Sequence, residues 1–332
     1  MKSSLLKPIL AAALAVGLLT FTRPVKGTAP SKAADVVIAE YHSEDPMASV
    51  RVWQTQMTRT SGNPRFAEFQ RERLVEWEKT EFAPHLLDDP RVTALVLEII
   101  RPALMLYRRQ DCFKLLAVKH RVPVAMNDSG VLMMVTTGLI ERATSDEEIL
   151  GVVAHELDHD IHWRRTARAR QTLELYEHGA GTELLARQAR EELAKIELEC
   201  DAFSAVTLAA MGRNPGVFGR YLLAAAHDYP DLVAENMPAV EERARVIERV
   251  VPSAALSIPP RQSESFKKLK ALLEERKHYT VGQEGATGGR APARARPEGR
   301  TVPGGCRAGR GSGSLSRLLK CGVSALAVAR VA

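Results

Sequence analysis

The stretch Ser145-Asp146-Glu147-Glu148-Ile149-Leu150-Gly151-Val152-Val153-Ala154-His155-Glu156-Leu157-Asp158-His159 decides how this chain is read. Ser145 is a good helix N-cap, and Glu148 three positions later completes the capping-box pattern. Asp146 and Glu147 suit the positive end of a helix dipole. Ile149, Val152, Val153 and Leu157 then give the helix an apolar, mostly buried character. Within it stands an H-E-x-x-H sequence, His155 to His159. Four residues make just over one helical turn, so both imidazoles leave the same face and can share one metal ion. Glu156 lies about 100 degrees around the helix, where it can serve as general base toward water instead of ligating. Five-residue patterns of this kind also arise on charged surface helices, but Val152-Val153-Ala154 argues against a solvated face. Zinc suits the pattern, since two neutral imidazoles and one carboxylate leave a fourth position for water.

A third ligand must come from elsewhere. His159-Asp160-Ile161-His162-Trp163-Arg164 lacks the glycine and third histidine of a metzincin. His162 lies seven residues beyond His155, two helical turns away and too far to close a tetrahedral site, so a supporting or surface role is expected. Glu183 to Met211 reads as a long helix ending at Met211-Gly212-Arg213-Asn214-Pro215. It carries Glu197-Leu198-Glu199-Cys200-Asp201, in which Glu197 and Asp201 are one turn apart and project together. That spacing suits a ligating carboxylate plus a second carboxylate that fixes the tautomer of a ligating histidine. An acidic stretch on a solvated helix is the alternative. Glu199 would point elsewhere.

Upstream, Phe66 to Lys79 and Val92 to Arg108 are periodic helical stretches, the second opening after Asp89-Pro90. Phe113 to Val118 and Val131 to Thr137 are short and apolar, separated by Pro123 and by Asn127-Asp128-Ser129-Gly130. These predict two strands of a small antiparallel sheet joined through a turn, ended by Gly138. The expected class is predominantly helical α+β.

The ends differ from the middle. Lys2, Lys7 and the uncharged apolar run Pro8 to Thr22 read as an export signal, with a small-residue cleavage site after Ala33. An uncleaved membrane anchor over residues 1–33 is the alternative, although the run is short for a span of about twenty residues. Either places the body of the protein outside the cytoplasm, in the periplasm or cell envelope or secreted. Residues 281–332 hold 11 of the 22 glycines and nine Lys/Arg against two acids, which predicts a disordered basic tail. The other 280 residues carry 37 basic and 38 acidic groups. The net charge of +6 therefore gives no support to a nucleic-acid-binding core, and no specific nucleic acid partner is expected. Cys112, Cys200, Cys306 and Cys321 show no C-x-x-C spacing and make no disulfide framework.

Taken together, Asn127 to Thr137, Gly138-Leu139, His155 to His159 and Glu197 to Phe203 resemble the zinc metallopeptidases of the HtpX and CAAX-prenyl-protease (Ste-type) gluzincin family. The resemblance spans roughly Asp89 to Val250. It implies a zincin-like catalytic domain over residues 34–280 and one zinc per chain, held by His155, His159 and Glu197. Glu156 would be the base and Asp201 a supporting residue, while Asn127, Gly130 and Arg243 are candidate contacts to substrate or transition state. Three departures stand beside it. Asp158 replaces a frequent glycine, Cys200 an alanine, and Met237 the histidine of a later H-P-x-x-x-x-R of which Pro238 and Arg243 remain. With one amino-terminal apolar segment, the chain resembles the soluble exported members more than the polytopic ones.

The activity so implied is hydrolysis of peptide bonds in unfolded or misassembled exported proteins, by Glu156-assisted attack of water. An extended substrate would add to an edge at Val131 to Val135. Membrane association would follow only where the N-terminal segment is retained as an anchor, and nothing in the pattern specifies an oligomeric state. The competing reading is a catalytically weak or inactive zinc-stabilised module that holds partners as a chaperone does.

Overall fold

Residue by residue, the apolar patterns resolve into helices laid around a small sheet. The computed structural model describes residues 32–57, 65–80, 82–230 and 237–286. Helices α1 (Lys32–Tyr41), α2 (Pro46–Gln56), α3 (Phe66–Trp77) and α4 (Pro90–Leu106) lead to strands β1 (Lys114–Val118), β2 (Ala125–Asp128) and β3 (Leu132–Thr136). Then come α5 (Thr137–Arg142), α6 (Asp146–Glu177), α7 (Glu183–Ala210), α8 (Pro215–Asp228), α9 (Val240–Arg249), the single turn α10 (Ser253–Leu256) and α11 (Glu264–Ala286). The architecture is predominantly helical α+β, consistent with a zincin-like domain. The export signal read over residues 1–33 falls almost wholly outside the described residues. So does the tail, except that α11 runs past position 280 to Ala286. Among the described residues no helix is long and apolar enough to cross a membrane.

The sheet departs from the expected antiparallel pair. Its order is β1-β3-β2, with β1 parallel to β3 (Lys114↔Leu132 through Val118↔Thr136) and β2 antiparallel to β3 (Ala125↔Val135 through Asp128↔Leu132). Asn127 and Asp128 favour turns by composition, yet both lie in β2, because tertiary partners satisfy their side chains. Arg73 donates through Nε (3.1 Å) and Nη2 (2.8 Å) to Asp128 Oδ2, and Asn127 is bonded to α6. The turn shrinks to Ser129 and Gly130, both at positive φ (57° and 69°), closed by Val131 N donating to Asp128 O. β3 is therefore the middle strand, so the edge expected at Val131 to Val135 does not exist. All five β3 residues are buried, because Met133 and Val135 face the main core while Leu132 and Met134 pack toward Trp77 of α3. Burial on both faces is why the strand reads as an unbroken apolar run.

The start of α6 is pinned by its acids, but not as a complete capping box. Ser145 makes no side-chain cap bond, while Glu148 reaches back to the main-chain N and the hydroxyl of Thr144. Asp146 Oδ1 accepts from Ser263 N (3.0 Å) and Oγ (3.1 Å) at the head of α11. Glu147, fully buried, accepts from Arg213 (3.0 Å) and from Arg261 N (2.9 Å). These bonds tie the metal-motif helix to the α7–α8 turn and to the C-terminal helix.

One turn before the motif, α7 and α8 come very close to α6. Ser204 Oγ donates to Gly151 O at 2.7 Å, and a Cβ on Gly151 would stand 2.5 Å from Phe218 Cγ. Gly151→Val is accordingly expected to lower the unfolding free energy by about 1–3 kcal/mol through overpacking. Denaturant titration should show a smaller loss in a Phe218→Leu background; equal losses in both would remove Phe218 as the cause.

Candidate metal centre

Helix α6 presents His155 and His159 toward α7, which runs alongside it and presents Glu197, Cys200 and Asp201. His155 Nε2 lies 3.3 Å from Glu197 Oε2, and His159 Nε2 lies 3.9 Å from Glu197 Oε1. The imidazole planes are nearly perpendicular (83°), with centroids 5.1 Å apart. The side chain of His155 is 7% exposed, against 25% for His159, so the centre opens on the His159 side.

The other face of His155 is closed by a charged relay. Asp201 is fully buried, and its Oδ1 accepts from His155 Nδ1 at 2.9 Å. From α9, Arg243 donates to both oxygens of the same carboxylate, Nε to Oδ2 at 2.7 Å and Nη2 to Oδ1 at 2.8 Å. Burial alone would lower the pKa of His155, but the bonds to Asp201 and Glu197 outweigh it and raise the value to about 10. Burial would raise Glu197 and Asp201, yet the His155 bond and the Arg243 charge respectively lead their net displacement downward. The fully buried Asp201 and the partly exposed Glu197 thus share one guanidinium and favour further positive charge between them. A proton on His155 supplies it here, and a divalent cation among His155 Nε2, His159 Nε2 and Glu197 would supply it equally well. The donor set fits zinc.

Cys200 offers a rival third donor, since one donor atom each from His155, His159 and Cys200 all lie within 4.8 Å of one another. Its Sγ, however, stands 3.5 Å from Nδ1 of His159. Asp201 occupies Nδ1 of His155 and Cys200 faces Nδ1 of His159, which leaves both Nε2 atoms turned toward Glu197. Cys200 therefore backs His159, as Asp201 backs His155. Burial pushes its thiol pKa well up, and it forms no disulfide.

Glu156 turns away from α7 toward β2. Its Oε2 accepts from Asn127 N at 3.0 Å, and its main-chain O accepts from Asn127 Nδ2 at 2.8 Å. Gly130 N donates to Asn127 Oδ1 at 3.0 Å, which places Gly130 in the same cluster. His162 is away from the centre, 3.1 Å from Asp158 Oδ2 and 3.5 Å from Glu199 Oε2. Glu199 is engaged by Arg165 and Lys195. Two residues that sequence reasoning passed over are Asp160 and Arg109, which join the Asn127 cluster. Asp160 sits one turn beyond Glu156, a spacing that signals it; Arg109 is an isolated position with no local signal.

Residues 86–215 match the sequence model of peptidase family M48. That segment is an M48 metallopeptidase domain. No curated protein is a significant match to the chain. The M48 segment contains β2, the H-E-x-x-H helix and the Glu197–Asp201 pair, whereas Arg243 comes from α9 beyond it. Metallopeptidases of this family use zinc, and the donor geometry accords with that.

The relay carries an energetic consequence for the M48 domain. Arg243→Ala strands the Asp201 carboxylate in the interior, at a cost of up to about 3–5 kcal/mol. It is also expected to weaken zinc about 10–100-fold by freeing the ring of His155. Competition with a chromophoric chelator measures the second effect; unchanged zinc affinity would confine Arg243 to a stabilising ion pair.

Proposed function

We propose that the chain is a zinc endopeptidase acting on unfolded or misassembled exported proteins. His155, His159 and Glu197 hold the metal, Glu156 is the base, and Asp201, backed by Arg243, orients His155. The observation that carries this reading is the convergence of two imidazole Nε2 atoms on one carboxylate from a separate helix, 3.3 and 3.9 Å away. Bound zinc would act there as a Lewis acid that polarises the scissile carbonyl and lowers the pKa of water. Glu156 takes the proton from the attacking water and delivers it to the leaving amine.

The unpaired side of β2 supports an extended substrate. Asn127 N donates to Glu156 and not to β3, so this amide faces outward on an edge strand. A peptide laid along that edge reads backbone more than side chain, which suits broad specificity. The N-terminal segment, as signal or anchor, would place the activity in the periplasm or cell envelope, with membrane association if it is retained.

Glu156→Gln should bind one zinc per chain yet hydrolyse an unfolded polypeptide about 10²–10⁴-fold more slowly. Glu197→Ala should lose the metal, and a chelator should abolish turnover by the unaltered protein until zinc is restored. Wild-type rates from Glu156→Gln would end its assignment as base. Zinc-dependent binding of the polypeptide without cleavage would instead favour a holding, chaperone-like module.

A further inference from the structure

Beside the base lies a chain of polar groups that the reaction as described leaves unused. Arg109 is 1% exposed, and its Nη2 donates to Gly130 O at 3.0 Å and to Asp160 Oδ2 at 2.8 Å. Asp160 Oδ1 accepts from Asn127 Nδ2 at 3.0 Å. That same Nδ2 donates to the main-chain O of Glu156, while Asn127 Oδ1 accepts from Gly130 N. The amide has one orientation only, because reversing it would set its oxygen against two acceptors and its NH₂ against a donor. Close approach is part of the design: a Cβ on Gly130 would lie 2.8 Å from Arg109 Nη2 and 3.0 Å from Asp160 Oδ2. The outcome is a fixed Asn127 whose main-chain N–H meets Glu156 Oε2 at 3.0 Å.

We propose that Arg109 and Asp160 are positioning residues which, through the Asn127 amide, hold the free edge of β2 against the carboxylate of Glu156. Neither touches the reacting atoms. Asp160 stands one turn beyond Glu156 on the face of α6 that meets β2, and Arg109 anchors it from the loop that follows α4. The pair clamps strand to helix, so the direction of the base and the outward N–H of Asn127 are set together. An incoming peptide carbonyl that takes this N–H releases Glu156 toward the water it deprotonates. That last step rests on the endopeptidase reading above; the clamp itself does not.

The experiment uses the full chain loaded with zinc and compares Asp160→Ala, Asn127→Ala and the double variant with the unaltered protein. Amide hydrogen exchange at position 127 is expected to quicken at least tenfold in Asp160→Ala, while β3 and the motif helix keep their protection. With an unfolded polypeptide as substrate, kcat is expected to fall about 10–100-fold in each single variant. KM should change far less, and zinc should stay at one per chain. The double variant should be no slower than the worse single, since both changes cut one chain of contacts. Unchanged exchange at position 127, or losses that multiply in the double variant, overturns the proposal. Should Asp160→Ala fail to fold once Arg109 loses that carboxylate, Asn127→Ala keeps the ion pair, and its exchange and kcat decide alone. If exchange responds while the unaltered protein cleaves nothing, the clamp stands and the hydrolase reading falls.

Discussion

The Asp201 carboxylate is the constraint on which the centre depends. It has no exposure to water, and it is charged because Arg243 and His155 both donate to it. A buried carboxylate deprived of such partners costs several kcal/mol. The packing of α6, α7 and α9 is acceptable only in the arrangement that brings all three side chains together. Once that arrangement is fixed, Nδ1 of His155 is committed, and its Nε2 can point only at Glu197. Tertiary packing thereby sets the direction of the ring.

Around that anchor, α6 sorts its polar side chains by angle. Successive residues turn by about 100 degrees, so each pair four apart shares a face. His155 and His159 meet Glu197 of α7, Glu156 and Asp160 meet β2, and Asp158 pairs with His162, which in turn meets Glu199. The three pairs have separate partners. This accounts for a helix whose first half is buried nearly all round although it carries so many titratable groups.

What the sequence disclosed follows the same logic. The co-facing of His155 with His159, and of Glu197 with Asp201, depends only on helical spacing, so both were legible without coordinates. So were the ends of α4 and α7, where Asp89 caps a helix and Gly212 follows one. Two strands of the sheet were legible as well, since β1 and β3 lie within the apolar runs Phe113 to Val118 and Val131 to Thr137. The third was not, because β2 is made of residues whose intrinsic preference is for turns. Asn127 and Asp128 are held extended by Glu156, Asp160 and Arg73, all distant in sequence. The parallel pairing of β1 with β3 likewise leaves no local mark when both faces are covered. Arg109 escaped for a simpler reason: its bonds to Gly130 and Asp160 reach more than twenty residues along the chain.

The two imidazoles are not supported alike, and the difference has a direction. His155 is backed by a carboxylate that a guanidinium in turn holds, whereas His159 has only the weakly polar thiol of Cys200 behind it. Charge-assisted bonds are roughly twice as strong as neutral ones, and sulfur is a weaker acceptor still. The ring of His155 is therefore fixed before any metal arrives, and the more exposed ring of His159 has freedom to adjust. In the zinc site proposed above, the yielding ligand would belong on the open side. There, on that proposal, a substrate would be admitted and an amine released, and there the loosely backed ring stands.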